Sequence, residues 1–132
     1  MALVFLNVDL DIQSSSKLDG LAAEMGDAVY VLYCGPGANG GSRKKQQFLV
    51  VESVRSHKTP EAAIRVLCRA VAKLSPKSRV IWDAARKSFN LGYDVTPEYG
   101  TGTVLLSPKT VELIRKFGSE LVITCYQLEP EW

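Results

Sequence analysis

Residues 34–46 read CGPGANGGSRKKQ and follow a strand-like run, AVYVLYC, at residues 28–34. The glycines have the G-x-G-x-x-G spacing of a dinucleotide-binding loop: Gly35, Gly37 and Gly40. In such a loop the third glycine leads into a helix whose N-terminus faces the pyrophosphate. Here residues 41–46 are too few for a crossover helix before the next apolar run, QFLVVESV at 47–54. The stretch therefore predicts a long hairpin loop between antiparallel strands.

The same loop does not match a phosphate-binding P-loop, because GPGANGGS has no lysine before Ser42. We therefore expect no bound cofactor. The loop does carry three consecutive basic residues, Arg43, Lys44 and Lys45. They are typical either of a contact with phosphates or an acidic protein surface, or of charge that keeps a loop soluble and protects a sheet edge.

Hydrophobic spacing outward from this hairpin predicts the remaining elements. Alternating apolar residues predict strands at 4–12, 28–34, 47–54, 89–95 and 120–128. Helical spacing predicts helices that begin near Ser16, Thr59, Ser78 and Ser107, with Gly26 and Gly118 ending the first and last of them. Residues 77–87 fit a helix or a strand, and we favour a helix.

The order of these elements predicts a single α+β domain over residues 1–132. Hairpins are mixed with helical crossovers, which indicates a mainly antiparallel sheet with helices packed on one face. The first half reads βαββα, a ferredoxin-like start, and a βαβ extension follows it.

Composition excludes few functional classes. The chain has 132 residues, 46% of them hydrophobic, and a formal net charge of +2, too small to indicate nucleic-acid binding. The three cysteines, Cys34, Cys68 and Cys125, are scattered among apolar neighbours and predict buried free thiols. We expect no signal peptide, no membrane contact and a cytoplasmic location.

Catalytic and metal-binding patterns are weak. His57 is the one histidine and has no metal ligand at a suitable spacing, so we expect no metal site. Asp9 and Asp11 share one face of the first strand. They could form a general acid–base pair or a cation site. The interpretation that we favour is that both side chains face solvent. We expect no catalytic residues and no enzymatic activity.

The segment GYDVTPEYGTG, residues 92–102, is the best candidate for a binding loop, because tyrosine supplies contact area at low entropic cost. Its candidate partner-binding residues are Tyr93, Asp94, Glu98 and Tyr99, and Trp132 is a further candidate. Tyr93 has an alternative interpretation as a core residue, since it shares strand parity with Leu91 and Val95.

Residues 106–129, LSPKTVELIRKFGSELVITCYQLE, resemble the C-terminal part of a set of small bacterial α+β proteins of uncharacterised biochemical function. The shared features are a helix that starts at LS-P, its end at Gly118 and a terminal strand that closes on Tyr126. The preceding residues 78–95 resemble the helix-then-strand segment of that family. The long insertion at residues 34–46 and the different turn after the first helix depart from its pattern.

Members of that family look similar to the immunity proteins that are encoded beside bacterial polymorphic toxins. The resemblance implies a protein-binding module that neutralises a cognate toxin without catalysis. The alternative is a small-ligand-binding regulatory domain, and a hydrolase or a nucleic-acid binder ranks lower. The sequence does not indicate an oligomeric state.

Overall fold

The computed structural model describes residues 2–37, 46–96 and 102–127. Within them the elements are, in chain order, β1 Ala2–Ser14, α1 Asp19–Met25, β2 Val29–Pro36, β3 Gln47–Ser53, α2 Pro60–Ala72, α3 Pro76–Ala84, β4 Arg86–Thr96, α4 Pro108–Lys116 and β5 Glu120–Gln127. A 3₁₀ turn, Gly26–Ala28, connects α1 to β2.

The five strands form one sheet in the order β2-β3-β1-β4-β5. The central strand β1 is antiparallel to both β3 and β4, and β2 is antiparallel to β3. β1 and β2 therefore run parallel with β3 between them, which is the split βαβ arrangement. β5 is parallel to β4 and reaches it through α4. The predicted α+β class with a mostly antiparallel sheet is confirmed.

The glycine-rich stretch connects two antiparallel neighbours, as predicted. Pro36 lies opposite Gln47 in the register of β2 and β3, and the Gly37 amide donates to the Gln46 carbonyl at 2.8 Å. A dinucleotide loop would instead be followed by a helix and a parallel strand.

One face of the sheet carries the hydrophobic core. From Val8 onward every second side chain of β1 is buried, including Leu10 and Ile12, and these side chains belong to the same core as the apolar residues of the helices. The register with β4 shifts between Phe5 and Asn7, so that one extra residue is inserted there. This bulge places Phe5 on the core side, where its ring packs on Tyr93 at a centroid distance of 5.6 Å.

Three helices begin with a hydroxyl cap followed directly by proline at the first helical position. The Thr59 and Ser107 hydroxyls accept from the amides of residues 62 and 110, as predicted. Two predicted caps are wrong. Ser75 caps α3 in place of Ser78, and α1 begins only at Asp19 with Leu18 at its N-cap position, while the Ser16 amide donates to the Ser14 hydroxyl of β1.

The predicted helix over residues 77–87 is confirmed as α3, although it begins and ends earlier than expected. β4 starts at Arg86, and β1 extends beyond the predicted strand at both ends. The two strands pair with each other along nearly their whole length. This pairing extends each strand beyond the residues whose apolar alternation predicts it.

Two carboxylates from earlier helices hold the N-termini of α3 and α4. Glu24 accepts from the Ser75 amide at 2.6 Å and from the hydroxyls of Ser75 and Ser78. Glu61 accepts from the Ser107 amide at 2.5 Å. The Ser78 hydroxyl lowers the pKa of Glu24 most, and the Ser107 amide lowers the pKa of Glu61 most. Both contacts join residues distant in sequence, so they fix how the helices sit relative to one another.

These two carboxylates give a pH-dependent stability. A carboxyl group whose pKa is lowered by folding stabilises the fold above its unfolded value, here 4.5, and loses that contribution as the pH falls through its folded value. We expect the double variant Glu24→Gln, Glu61→Gln to be less stable at neutral pH and to lose less stability than the wild type below about 4.5. Urea unfolding at a series of pH values measures both. Parallel pH profiles for the two proteins would contradict the assignment.

Candidate interaction surface

The sheet face opposite the helices, here called the open face, carries no member of the hydrophobic core. The register places on it a set of polar and aromatic side chains from all five strands: Asn7, Asp9, Asp11, Tyr30, Tyr33, Glu52, Asn90, Asp94, Thr124 and Tyr126. The Thr124 hydroxyl donates to Asn90 Oδ1 at 2.8 Å across β4 and β5. Among the described residues no helix packs on this face.

A hydrogen-bonded acidic group lies at the centre of the open face. Asn7 Nδ2 donates to Asp9 Oδ1 at 2.9 Å and to Glu52 Oε2 at 3.1 Å. Asp9 and Glu52 are direct neighbours in the register of β1 and β3, and Asp11 follows two residues along. The amide of Asn7 thus holds two carboxylates side by side, with their remaining oxygens available as acceptors.

The central carboxylates are partly desolvated. Burial, then the charges of Asp11 and Glu52, raises the pKa of Asp9 to about 6. Burial also raises the pKa of Asp11 above its usual value. These two side chains lie on the solvent side of β1, as favoured from the alternation, but they are half-buried by their neighbours in the sheet.

The two sides of the protein carry opposite charge. The open face holds five acidic residues, Asp9, Asp11, Glu52, Asp94 and Glu120, against one arginine, Arg86, which is paired with Glu120 at 2.6 Å. The four helices hold seven basic and five acidic residues, so their excess of positive charge is small, and it comes from α2, α3 and α4, whereas α1 carries Asp19 and Glu24. The small net charge of +2 therefore hides a separation of charge between an acidic sheet face and a basic helix layer.

Tyrosines flank the acidic centre on both sides. Tyr30 and Tyr33 on β2 are 56% and 47% exposed, and Tyr126 on β5 is 52% exposed. Gly92 on β4 has no side chain, and this leaves space for the side chains of Asn7 and Tyr126. A Cβ at position 92 would lie 2.8 Å from Asn7 Oδ1 and 3.6 Å from the Tyr126 ring. Exposed aromatic residues, tyrosine among them, are enriched at protein–protein contact surfaces.

The partner-binding residues predicted from the sequence have different outcomes. Asp94 lies on the open face, directly opposite Tyr126 in the register of β4 and β5. Tyr93 is 6% exposed and packs in the core, the alternative that its strand parity indicates. The others lie outside the described residues: Arg43, Lys44, Lys45, Glu98, Tyr99 and Trp132.

The sequence interpretation missed Tyr30, Tyr33 and Tyr126 as surface residues. Alternation within β2 or β5 alone does not show which side faces the helices, because both are edge strands with exposed residues of either parity. The strand pairing supplies the missing information. Tyr126 lies opposite Asp94 and Tyr30 lies opposite Glu52, so each tyrosine is on the same face as an acidic residue.

A cleft of about 220 Å³ adjoins the open face where β1 bulges, and it contains the one histidine. His57 Nε2 lies 3.0 Å from Ser53 Oγ, and this hydroxyl donates to the Arg55 carbonyl at 3.0 Å. The Ser53 hydroxyl thus contacts both a backbone carbonyl and the His57 ring nitrogen, all within the turn that follows β3. The contact between Ser53 and His57 stabilises the turn after β3.

Three further observations bear on the site. Among the described residues no group of histidine, cysteine and acidic side chains is arranged to hold a metal ion. In the same ranges no helix has the length and apolarity to cross a membrane. Of the three thiols predicted to be buried, only Cys68 is, and burial raises its pKa to about 12; Cys34 is partly buried and Cys125 is exposed, so the prediction is wrong for Cys125 and not met at Cys34.

No protein-family model, curated protein or solved structure matches this chain.

Proposed function

We propose that this protein is a non-catalytic protein-binding module, an immunity-type inhibitor that neutralises a cognate bacterial toxin by binding it. The observation that carries the proposal is the open face, a sheet surface with exposed tyrosines around a hydrogen-bonded acidic centre. A specific interface needs about 800 Å² from each partner and a few aromatic or charged anchors near its centre. The open face supplies both kinds of anchor on rigid strands.

Charge separation supports an oriented encounter with the partner. An acidic face opposite a basic helix layer attracts a basic surface to one side of the molecule and repels it from the other. The half-buried carboxylates of Asp9 and Asp11 strengthen this effect, because their charges are screened less than fully exposed ones. We further propose a cytoplasmic location, since the three cysteines are free and a reducing compartment keeps thiols in that state.

The test compares matched variants of the two faces. The open-face variant is Asp94→Lys with Tyr126→Ala, and the control is Arg69→Glu with Val80→Ala, which makes the same kinds of change on the helix layer. The tagged proteins are used to isolate partners from the native host, and bound proteins are identified by mass spectrometry. We expect one stoichiometric protein with the wild type and the control, and its loss with the open-face variant.

The second step tests inhibition. We expect the partner, expressed alone, to arrest growth and the wild type to restore it, while the open-face variant fails to do so. A partner that binds the open-face variant as tightly as the wild type would overturn the assignment of the surface. A partner without toxicity would overturn the inhibitor role.

The cleft favours a second candidate, a small-ligand-binding regulatory domain. Asn7, Tyr30, Glu52 and His57 line it with donors and acceptors, and its 220 Å³, below the roughly 300–1,000 Å³ of ligand pockets, limits the ligand to a small polar metabolite. This function predicts a rise in melting temperature with one small molecule of a metabolite panel, whereas the inhibitor function predicts none. His57→Ala would abolish that rise if the cleft is the site.

A further inference from the structure

The strand β5 forms an edge of the sheet. Within residues 2–37, 46–96 and 102–127 only β4 pairs with it. Its three consecutive apolar residues Leu121, Val122 and Ile123 are each about two-fifths exposed, on both sides of the strand. A run of exposed apolar residues on a strand with one unpaired edge is a template for pairing with another strand.

The other edge strand, β2, is protected and β5 is not. The register of β2 with β3 shifts between Val31 and Tyr33, and β2 ends at Pro36. Bulges and prolines are the means by which proteins prevent pairing at a sheet edge. The register of β5 with β4 continues without a shift over all eight residues, and ELVITCYQ contains neither proline nor lysine.

We propose that β5 pairs with β5 of a second copy of this chain, antiparallel about a two-fold axis that passes through Ile123. The axis stands perpendicular to the sheet, so the two five-stranded sheets join into one and both open faces lie on the same side. An antiparallel pairing of this kind closes the assembly at two copies, because each protomer uses the same edge.

The sequence of β5 is self-complementary in this register. Ile123 lies opposite its own copy and Leu121 opposite the partner's Cys125, all on the side of the helices. On the open face Val122 lies opposite the partner's Thr124, and Glu120 opposite the partner's Tyr126. Apolar and β-branched side chains thus face each other, and no carboxylate opposes a carboxylate.

The size of the edge matches a small but specific dimer. A biological interface needs on the order of 1,000 Å² in total, or about 60 Å² from each of eight residues per protomer. Seven of the eight β5 residues are exposed, and Tyr126 exposes half of its surface. A head-to-tail pairing of β5 with β2 would instead extend without limit. The bulge in β2 prevents that strand from lying flush along β5.

The test measures self-association of the full chain by sedimentation velocity over a range of micromolar concentrations. Ile123→Lys is compared with Leu32→Lys, which places the same charge at an equally exposed position on the other edge strand. We expect a dimer for the wild type and for Leu32→Lys. Ile123→Lys is expected to weaken it by about 100-fold or more, because the two-fold axis places the new lysine opposite its own copy.

A cross-link tests the register independently of folding losses. Leu121→Cys in a Cys34→Ser background is expected to form, under mild oxidation, a disulfide between position 121 and the partner's Cys125. The background alone is expected to stay uncross-linked, because the two Cys125 residues are four positions apart along the paired strands. Mass spectrometry of the cross-linked peptide identifies the pair.

A wild type that sediments as a monomer at every concentration would overturn the dimer, as would a dimer that Leu32→Lys disrupts and Ile123→Lys does not. A cross-link absent from Leu121→Cys would overturn the register. The substitutions that test the dimer, at positions 32, 121 and 123, are not those of the open-face variant, although Tyr126 belongs to both surfaces.

Discussion

Replacing Trp82 with alanine is expected to lower the free energy of unfolding by about 3–5 kcal/mol, the range for truncating a buried aromatic side chain. Trp82 is 1% exposed, and its indole nitrogen donates to the Phe117 carbonyl at 3.2 Å. Its ring meets that of Phe117 edge-on at 6.5 Å, and Lys87 Nζ lies 5.2 Å from its centroid. One side chain thus joins α3, the end of α4 and β4.

Urea unfolding of Trp82→Ala and Trp82→Phe separates the contributions. The phenylalanine variant keeps an aromatic ring but loses the bond to Phe117, so we expect it to fall between the alanine variant and the wild type. Val80→Ala, on the exposed side of the same helix, is the control and is expected to change stability by less than about 0.5 kcal/mol. A loss below about 1 kcal/mol for Trp82→Ala would show that α3 is not anchored in this way.

Replacing Asp9 with asparagine is expected to stabilise the protein at neutral pH. The pKa of Asp9 is raised from 3.8 to about 6, so the folded state holds a proton that the unfolded state releases between these values. Stability then falls as the pH rises from 3.8 to 6, and the full cost remains above it. Because the side chain is partly exposed and its field is screened, we expect about 1 kcal/mol.

The asparagine variant should also show a flatter stability profile between pH 3.8 and 6, since no group titrates at position 9. Asp27→Asn, which removes an exposed carboxylate away from the open face, is the control and is expected to leave that part of the profile unchanged. An unchanged profile for Asp9→Asn would contradict the raised pKa.

Removing the charges of Asp9 and Asp11 together tests the role of the open face. In the double variant Asp9→Asn, Asp11→Asn we expect a more stable protein whose association with its partner is about tenfold slower, because the central charges that steer the encounter are gone. A gain in stability coupled to a loss in binding is typical of residues kept for function. Stopped-flow association with the isolated partner measures the rate, and an unchanged rate would remove the acidic centre from the interface.

Local features of the fold were predictable where the physics is local. The caps Thr59 and Ser107, each followed by proline, and the glycines at helix ends depend on neighbouring backbone groups alone, and the structure has them as expected. The Ser78 cap failed because Glu24, distant in sequence, accepts from its hydroxyl while Ser75 takes the capping position. A competitor of that kind leaves no mark in the surrounding residues.

The candidate site was only partly predictable for the same reason. The sequence indicated Asp9, Asp11 and Asp94 as polar strand residues, but it did not show that three strands separate the tyrosines of β2 from that of β5 across one acidic face. The bulge that moves Phe5 to the core side is likewise a property of strand pairing.

By itself, the sequence determined the α+β class, the hairpin at the glycine-rich stretch and two of the four helix starts, because apolar periodicity and capping act within a few residues. The tertiary structure alone decided the strand order, the separation of charge between the two faces and the contrast between a protected and an unprotected edge. Each of these depends on which distant segments pair, and pairing is set by packing of the whole core rather than by any one stretch.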